Sequence, residues 1–477
     1  MNLPEAFVQY TKSLLGDADF DKLAAALAEE PAVSVRLNPV KPITDVVDGE
    51  KVAWSDRGFY LDGRLTFTFD PLFHAGCYYV QEASSMFVER ALRQHAGNEP
   101  LRMLDLCAAP GGKSTHALSV LPKGSLLVSN EVMRNRAQIL AENITKWGAV
   151  NAVVTNNDPS DFAPLTSFFD VILTDVPCSG EGMFRKDAVA VSEWSEENVE
   201  TCWQRQRRII NDIWPCLKPG GLLIYSTCTF NTKEDEENVH WIAEEYGAEV
   251  LPIETNESWG ITGNLLKGTD FPVYRFIPGR TRGEGFFLAA LRKPESDEDD
   301  FRVPSVKADK KNKKRQNGKG KAQPVVGKAQ LAKAAEWIGD AELTIAAGDT
   351  DIFAVPSLYA DDIELLKQTL KVMQAGVEIG EVKGNDVIPS HSLAMSPALL
   401  PDAFERCEVG YEQAIAYLRK EAIALPSNVS RGYILLTYKN IPLGFVKNVG
   451  NRANNLYPQE WRIRSGYLPE VIKLITK

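Results

Sequence analysis

Two cysteines stand where apolar, strand-like runs end: Cys178 in Asp175-Val176-Pro177-Cys178-Ser179-Gly180 and Cys228 in Ser226-Thr227-Cys228-Thr229. One strand-end cysteine is usually a small buried hydrophobe. A pair is different if both turns open on one sheet edge, because thiols at adjacent strand ends then meet. Two such thiols solve one chemical problem. Carbon 5 of a pyrimidine is a poor nucleophile; a thiolate adding at carbon 6 turns the ring into an enamine, carbon 5 can then attack a methylsulfonium, and a base removes the carbon 5 proton so that the thiol leaves. One cysteine adds and the other assists elimination, and the two turns alone do not say which is which. Asp175 is placed to hold the amino group and ring nitrogen 3 of a cytosine, stabilising the adduct. After Cys228, Asn231 and Glu234 are spaced as a capping box, so a helix amino end is expected near that thiol.

A second chemical signal is Leu104-Asp105-Leu106 followed by Cys107-Ala108-Ala109-Pro110-Gly111-Gly112-Lys113-Ser114-Thr115. It runs from a buried strand through a Gly-rich turn into a helix, the place where open α/β sheets bring backbone close to a ligand. Two readings compete. Gly112-Lys113-Ser114 fits the second half of a phosphate-binding P-loop, with Leu173-Thr174-Asp175 as an acidic strand end, but Cys107 stands where the first glycine belongs. A nucleoside pocket instead requires a carboxylate about 20 residues on, at the second strand end, for the ribose hydroxyls. Glu131 stands there, and Asp158 follows the third strand, placed to meet an adenine edge. On this reading the pocket takes S-adenosyl-L-methionine or a similar nucleoside.

These residues need a parallel sheet behind them. Between 99 and 293, short apolar runs (Met103–Leu106, Leu126–Ser129, Ala152–Val154, Val171–Thr174, Leu222–Tyr225) alternate with helical-period segments. That is the rhythm of a doubly covered α/β sheet. Residues 1–98 open on an amphipathic helix carrying Phe7, Leu14 and Leu15, then mix short strands and turns. A stretch at 294–329, acidic first and then basic, holds little to bury and is expected to be a flexible linker. An α+β segment at 330–395 and a β-rich module at 396–477 follow.

The motif order Cys-Ala-Ala-Pro-Gly-Gly-Lys-Ser (107–114), Asp-Val-Pro-Cys-Ser-Gly-Glu-Gly-Met-Phe-Arg-Lys (175–186) and Ser-Thr-Cys-Thr (226–229) resembles the Sun-type RNA cytosine-5 methyltransferases. Val35-Arg36-Leu37-Asn38 and Tyr79-Val80-Gln81-Glu82-Ala83-Ser84-Ser85 resemble that family's RNA-side element and a cofactor-side motif. The tail, Gly444-Phe445-Val446-Lys447 through Asn451-Arg452-Ala453-Asn454-Asn455-Leu456-Tyr457-Pro458, resembles the PUA-like module of its bacterial members. The resemblance implies a Rossmann-like S-adenosylmethionine methyltransferase sheet, an α+β N-terminal RNA-side domain, and C-terminal α+β and PUA-like β-rich modules. It makes Cys228 the nucleophile, has Cys178 assist product release, and sets Asp175 against base and cofactor. Cys107, Ala108, Ala109, Pro110, Gly111, Gly112, Lys113, Glu131, Asp158 and Asp175 would hold the cofactor. The implied substrate is a cytosine in the decoding region of 16S ribosomal RNA, so the partner is ribosomal RNA or the small ribosomal subunit. The competing classes are a P-loop nucleotidase, an amino-methyltransferase, for which Asp-Val-Pro-Cys lacks the Pro-Pro-aromatic pattern, and a non-catalytic ribosome-assembly factor.

Composition sets the remaining bounds. Of 477 residues, 44% are hydrophobic and 25% charged, which excludes global disorder and suggests several domains. Seven scattered cysteines without a C-x-x-C spacing and five dispersed histidines signal neither disulfides nor a metal site. With no basic, apolar leader and no run of about 18 apolar residues, no membrane association is expected; the expectation is a cytoplasmic monomer. The 53 Lys and Arg against 64 Asp and Glu leave −11, a poor match to nucleic acid as a total. Locally the balance reverses: residues 431–477 hold eight basic residues (Arg431, Lys439, Lys447, Arg452, Arg462, Arg464, Lys473, Lys477) against Glu460 and Glu470. Tyr433, Tyr438, Phe445, Tyr457 and Trp461 interleave with them, a mixture suited to phosphate contact and base stacking, although a small β module needs most such aromatics as core. Phe184, Arg185 and Lys186 are candidates for an RNA entrance beside the Pro-Cys turn, or for a plain solvated loop.

Overall fold

The computed structural model describes residues 3–295 and 326–476. Most of the expected 294–329 linker lies outside the described residues. The five apolar runs become parallel strands: β5 (Arg102–Asp105), β6 (Leu126–Asn130), β7 (Ala152–Thr155), β8 (Phe169–Asp175) and β9 (Leu217–Thr227). They follow an N-terminal antiparallel sheet in the order β2 (Gly49–Lys51), β3 (Gly58–Leu61), β1 (Val33–Leu37), β4 (Tyr78–Val80). The central strands lie in the order β9-β8-β5-β6-β7. The chain therefore leaves β5 towards β6 on one side and returns to β8 on the other. That reversal opens a crevice at the carboxyl ends of β5 and β8, where sheets of this kind bind ligands.

Burial of both faces explains why these runs lack strand alternation: Leu104, Val128, Val153, Ile172 and Leu223 face one apolar layer, while Met103, Leu127, Val171, Leu173 and Leu222 face another. Antiparallel strands complete one side, with β12 (Phe286–Arg292) on β9, then β10 (Glu249–Leu251) and β11 (Tyr274–Phe276) on β12. From β11, the fully buried Arg275 reaches Asp235 at 2.9 Å and Glu236 at 2.6 Å. Asp235 in turn accepts a hydrogen bond from Thr227, the residue before Cys228.

Two features depart from a chain of separate domains. The expected 330–395 unit forms an antiparallel sheet of β13 (Leu343–Ala347), β14 (Asp351–Pro356), β16 (Val377–Lys383) and β17 (Asp386–Pro389). Yet β15 (Val372–Ala375) leaves it to pair antiparallel with β7, Ala375 against Val153. This covers the open N–H and C=O groups that β7 would otherwise present as an edge. Likewise the C-terminal sheet, β18 (Glu405–Glu408), β19 (Gly432–Tyr438), β20 (Ile441–Asn448) and β21 (Ala453–Asn455), shares one apolar core with the N-terminal sheet. In that core Val35, Leu61 and Tyr78 join Tyr417, Leu436 and Tyr457.

Asp386 ties the accessory sheet to the C-terminal one. It accepts from Lys333 at 2.8 Å, from Tyr433 at 2.9 Å and from Lys447 at 3.3 Å. Tyr433 and Lys447 are thus occupied in holding two sheets together, a structural use that the basic and aromatic pattern of the tail did not distinguish from RNA contact. Burial acts to raise the Asp386 carboxyl, but these three donors outweigh it and bring it from 3.8 down to about 2. A carboxylate depressed by folding adds stability above its unfolded value and loses it as pH falls through the folded one. Asp386→Asn is expected to be less stable than the parent at neutral pH, with the gap closing as pH falls from 3.8 towards about 2; urea midpoints across that range check it.

Candidate active site

The Gly-rich turn sits on the crevice edge. Ala108 N–H donates to Asn130 O at 2.8 Å and Leu106 N–H to Leu173 O, so the loop after β5 is fastened to both neighbours. Gly111, at φ +113°, sits just before the helix Gly112–Val120, in a backbone conformation that side chains rarely adopt. Lys113 does not point out as a phosphate-binding lysine would. Its ammonium contacts Asp175 at 2.8 Å, and Ser114 donates to the buried Asp105 at 2.6 Å. Both side chains a P-loop would use are spent inside the protein. Burial alone would lower the Lys113 ammonium, but the adjacent Asp175 carboxylate outweighs it and the net shift is upward, so Lys113 keeps its charge. Asp175 also accepts from Ser226 at 2.8 Å, linking the ends of β8 and β9.

The two cysteines meet. Cys178 Sγ and Cys228 Sγ share a hydrogen bond at 3.1 Å, and the Cys228 N–H points at Cys178 Sγ at 3.4 Å. The hydrogen bond to Cys228, and then burial, push the Cys178 thiol well above its ordinary value. Cys228 opens onto a cavity of about 320 Å³ that is also lined by Tyr79, Cys107, Lys113, Asp175 and Phe286. Burial likewise pushes the Cys107 thiol up, away from the thiolate. Tyr79, Val80, Gln81, Glu82 and Ser85 of the Tyr79–Ser85 segment line this cavity as well.

What fixes the two cysteine turns is a residue that the sequence reading quoted but gave no role. Glu181, 1% exposed, accepts through Oε2 from Thr229 Oγ1 at 2.6 Å, Phe230 N–H at 2.7 Å and Asn231 N–H at 3.0 Å. Through Oε1 it accepts from Trp194 and from the Asn231 side chain, both at 3.0 Å. The turn after Cys178 is thereby bound to the loop after Cys228. Gly182 lets them touch: its N–H donates to Cys228 O at 2.7 Å, and a Cβ there would fall 2.6 Å from that oxygen. A carboxylate between two glycines in a turn that enters the interior was the available signal.

Several expected residues sit differently. Asn231 and Glu234 do bond each other, but the helix begins later, at Glu236, and no reciprocal box forms. The Asn231 N–H is taken by Glu181, and Glu234 accepts from Ser179 and Gln206 instead. The α-helix expected to open beside Cys228 therefore opens eight residues on, at Glu236. Phe184 is core, 5.0 Å from Phe7 of the N-terminal helix Glu5–Leu15. Arg185 is bound by Glu284 and by the Ala26 carbonyl, so neither residue forms an RNA entrance. Lys186 stays exposed and lines the cavity. Glu131 and Asp158 follow β6 and β7 on the same sheet edge, outside the lining of the 320 Å³ cavity. Glu131 accepts from Met133 N–H and pairs with Arg136 at 3.2 Å. Asp158 caps a short turn through Ser160.

The chain matches the family model of the 16S rRNA methyltransferase RsmB/F over residues 76–292. It also matches the N-terminal domain of 16S rRNA methyltransferase RsmF over 3–83 and the methyltransferase RsmF PUA domain over 404–463. The ribosomal RNA small subunit methyltransferase F of Erwinia tasmaniensis is 30% identical over 98% of both chains, and that of Serratia proteamaculans is 31% identical over 98% of both. The chain belongs to the ribosomal RNA small subunit methyltransferase F family. A solved methyltransferase homologue from Pyrococcus horikoshii has 26% identity and a TM-score of 0.52, covering 61% of this chain and 95% of its own. The NSun6 structure from the same organism shares the fold, at 20% identity and a TM-score of 0.52 over 61% of this chain and 99% of its own.

As a member of this family the protein is a methyltransferase that uses S-adenosylmethionine. The crevice suits that cofactor: a close-approach glycine turn beside carboxylates at two neighbouring strand ends matches a ligand bearing an amine and ribose hydroxyls. Among the described residues no helix is long and apolar enough to cross a membrane.

Removing the Glu181 carboxylate strands buried N–H groups. Two of them, Phe230 N–H and the Trp194 indole, donate to Glu181 alone, so at about 1–3 kcal/mol per orphaned donor Glu181→Ala is expected to lose roughly 2–6 kcal/mol in urea denaturation, with Glu181→Gln intermediate. It should slow methyl transfer while cofactor affinity, followed by equilibrium dialysis, stays close to the parent's.

Proposed function

We propose that the protein methylates carbon 5 of a cytosine in the decoding region of 16S ribosomal RNA through a covalent cysteine–cytosine adduct. The observation that carries this reading is the pair of thiols 3.1 Å apart, one of them opening onto the cavity that Lys113 and Asp175 also line. An enzyme methylating an exocyclic amine needs neither sulfur. Whole-length similarity to enzymes named for the small-subunit RNA supports the substrate class.

Cys228 is the nucleophile, since it is the sulfur that lines the cavity. Its thiolate adds to carbon 6 of the extruded base, and the electron density moved onto the ring is stabilised from the Asp175 side. Asp175, held by Lys113 and Ser226, accepts from the amino group through one oxygen and passes a proton to nitrogen 3 through the other as the adduct forms. When bound, S-adenosylmethionine supplies an electrophilic methyl group. Residues 107–113 receive it, Glu131 takes the ribose hydroxyls and Asp158 the adenine edge. Cys178, with its thiol pushed up and 3.1 Å from Cys228, hands its proton to the departing Cys228 sulfur as the carbon–sulfur bond breaks, and the Cys178 thiolate so formed takes the carbon 5 proton of the methylated base, which returns both cysteines to thiols. Extrusion of the base costs a few kcal/mol. Arg431, Arg452 and Arg464, exposed on the C-terminal module, supply phosphate contacts that offset it.

Cys228→Ala is expected to abolish methyl transfer with cofactor binding intact, whereas Cys178→Ala should accumulate a protein–RNA adduct stable on a denaturing gel. An adduct seen only with Cys228→Ala would reverse the two roles. Glu131→Ala should weaken S-adenosylmethionine binding in calorimetry and leave RNA affinity unchanged. Mapping 5-methylcytosine in cells lacking the protein tests the substrate, and loss of a transfer RNA mark alone would overturn it.

A further inference from the structure

Of the seven free cysteines, four (Cys77, Cys202, Cys216, Cys407) are buried and three (Cys107, Cys178, Cys228) partly so; of these three, Cys228 lines the open cavity and has the Cys178 sulfur in contact behind it. A disulfide is about 2.05 Å long, so the sulfurs need to close by only roughly 1 Å from their 3.1 Å separation. Around them the backbone is held by Glu181 and by the bond from Gly182 to Cys228 O, so the sulfurs stay face to face. This is the arrangement of a reactive thiol with a resolving partner.

We propose that the Cys178–Cys228 pair is an oxidative modification site, converted by hydrogen peroxide into a reversible disulfide that switches the enzyme off. Cys228 Sγ attacks one peroxide oxygen: an S–O bond forms, the O–O bond breaks, and the leaving hydroxide takes a proton to become water. Cys178 Sγ then attacks the Cys228 sulfenic sulfur; the S–S bond forms, the S–O bond breaks, and the departing hydroxide leaves as water with the Cys178 proton. Two thiols and one peroxide give one disulfide and two waters, the sulfurs losing two electrons and the peroxide gaining them. Because Cys178 lies in contact, the sulfenic acid is captured before a second peroxide carries it to the irreversible sulfinic acid. The cofactor loop at 107–113 is not consumed in this chemistry, so S-adenosylmethionine binding survives it. The loss of activity rests on the proposed roles of the two thiols; the disulfide itself rests on the geometry.

The experiment treats the full-length protein with hydrogen peroxide, followed by intact mass, peptide mapping, cofactor binding and methyl transfer. Expected are a loss of two hydrogens, a cross-linked peptide pair carrying Cys178 and Cys228, near-complete loss of methyl transfer with cofactor binding retained, and full recovery with dithiothreitol. In Cys178→Ser the same treatment should drive Cys228 to a sulfinic acid that dithiothreitol does not reverse, read by mass alone. Sulfinic acid on Cys228 of the parent protein, or a cross-link elsewhere, overturns the proposal. A Cys178–Cys228 disulfide with methyl transfer intact keeps the modification site and instead overturns the catalytic roles.

Discussion

The site depends on one buried carboxylate. Among the described residues Glu181 forms no ion pair; its oxygens accept from two backbone N–H groups, a threonine hydroxyl, an indole and an amide. A buried carboxylate is costly unless its lone pairs are filled. Filling them forces the turn after β8 and the loop after β9 into a single geometry. The distance between the two sulfurs follows from that constraint and from the parallel pairing of β8 with β9, which brings Asp175 opposite Ser226. The N-terminal helix joins the same arrangement, since Phe7 packs on both Phe184 and Trp194, and Trp194 is the indole that Glu181 holds.

Around this lies a graded electrostatic layout. Lys113, paired with Asp175, keeps its charge at the mouth, while deeper in, Asp105 is driven up to about 7, by burial first, although Ser114 and Lys113 act to lower it. Charge is thus kept at the cavity wall and suppressed beneath it. Farther out, Asp235 and Glu236 share the buried Arg275, which braces the segment following the Cys228 loop from the strand side.

The readable parts were the local ones. Cys107–Lys113, Asp175, Cys178 and Cys228 all lie at or just past the ends of apolar runs, where a few contiguous residues determine both backbone and chemistry. The five parallel strands were legible because strands buried on both faces are apolar without interruption. Glu181 escaped because its partners, Trp194 and residues 229–231, are distant in sequence and a glutamate in a glycine turn looks solvated. Asn231 and Glu234 had capping-box spacing, but Glu181 competed for the same N–H. Tyr433 and Lys447 looked like an RNA surface because charge spacing does not reveal that Asp386 faces them. The common apolar core of the first and last sheets left no local signal either.

The pairing of β15 with β7 has a consequence for how the chain is made. The partners Val153 and Ala375 are separated by more than 200 residues, so the outer edge of the parallel sheet is completed only when residues from the far side of the accessory sheet arrive. At ribosomal elongation rates of 5–20 residues per second, that edge waits on the order of 10–40 s after β7 emerges. During that interval the nascent protein carries an unpaired apolar strand, the kind of surface that holding chaperones protect, and its vulnerability is set by the speed of synthesis rather than by the stability of the finished molecule.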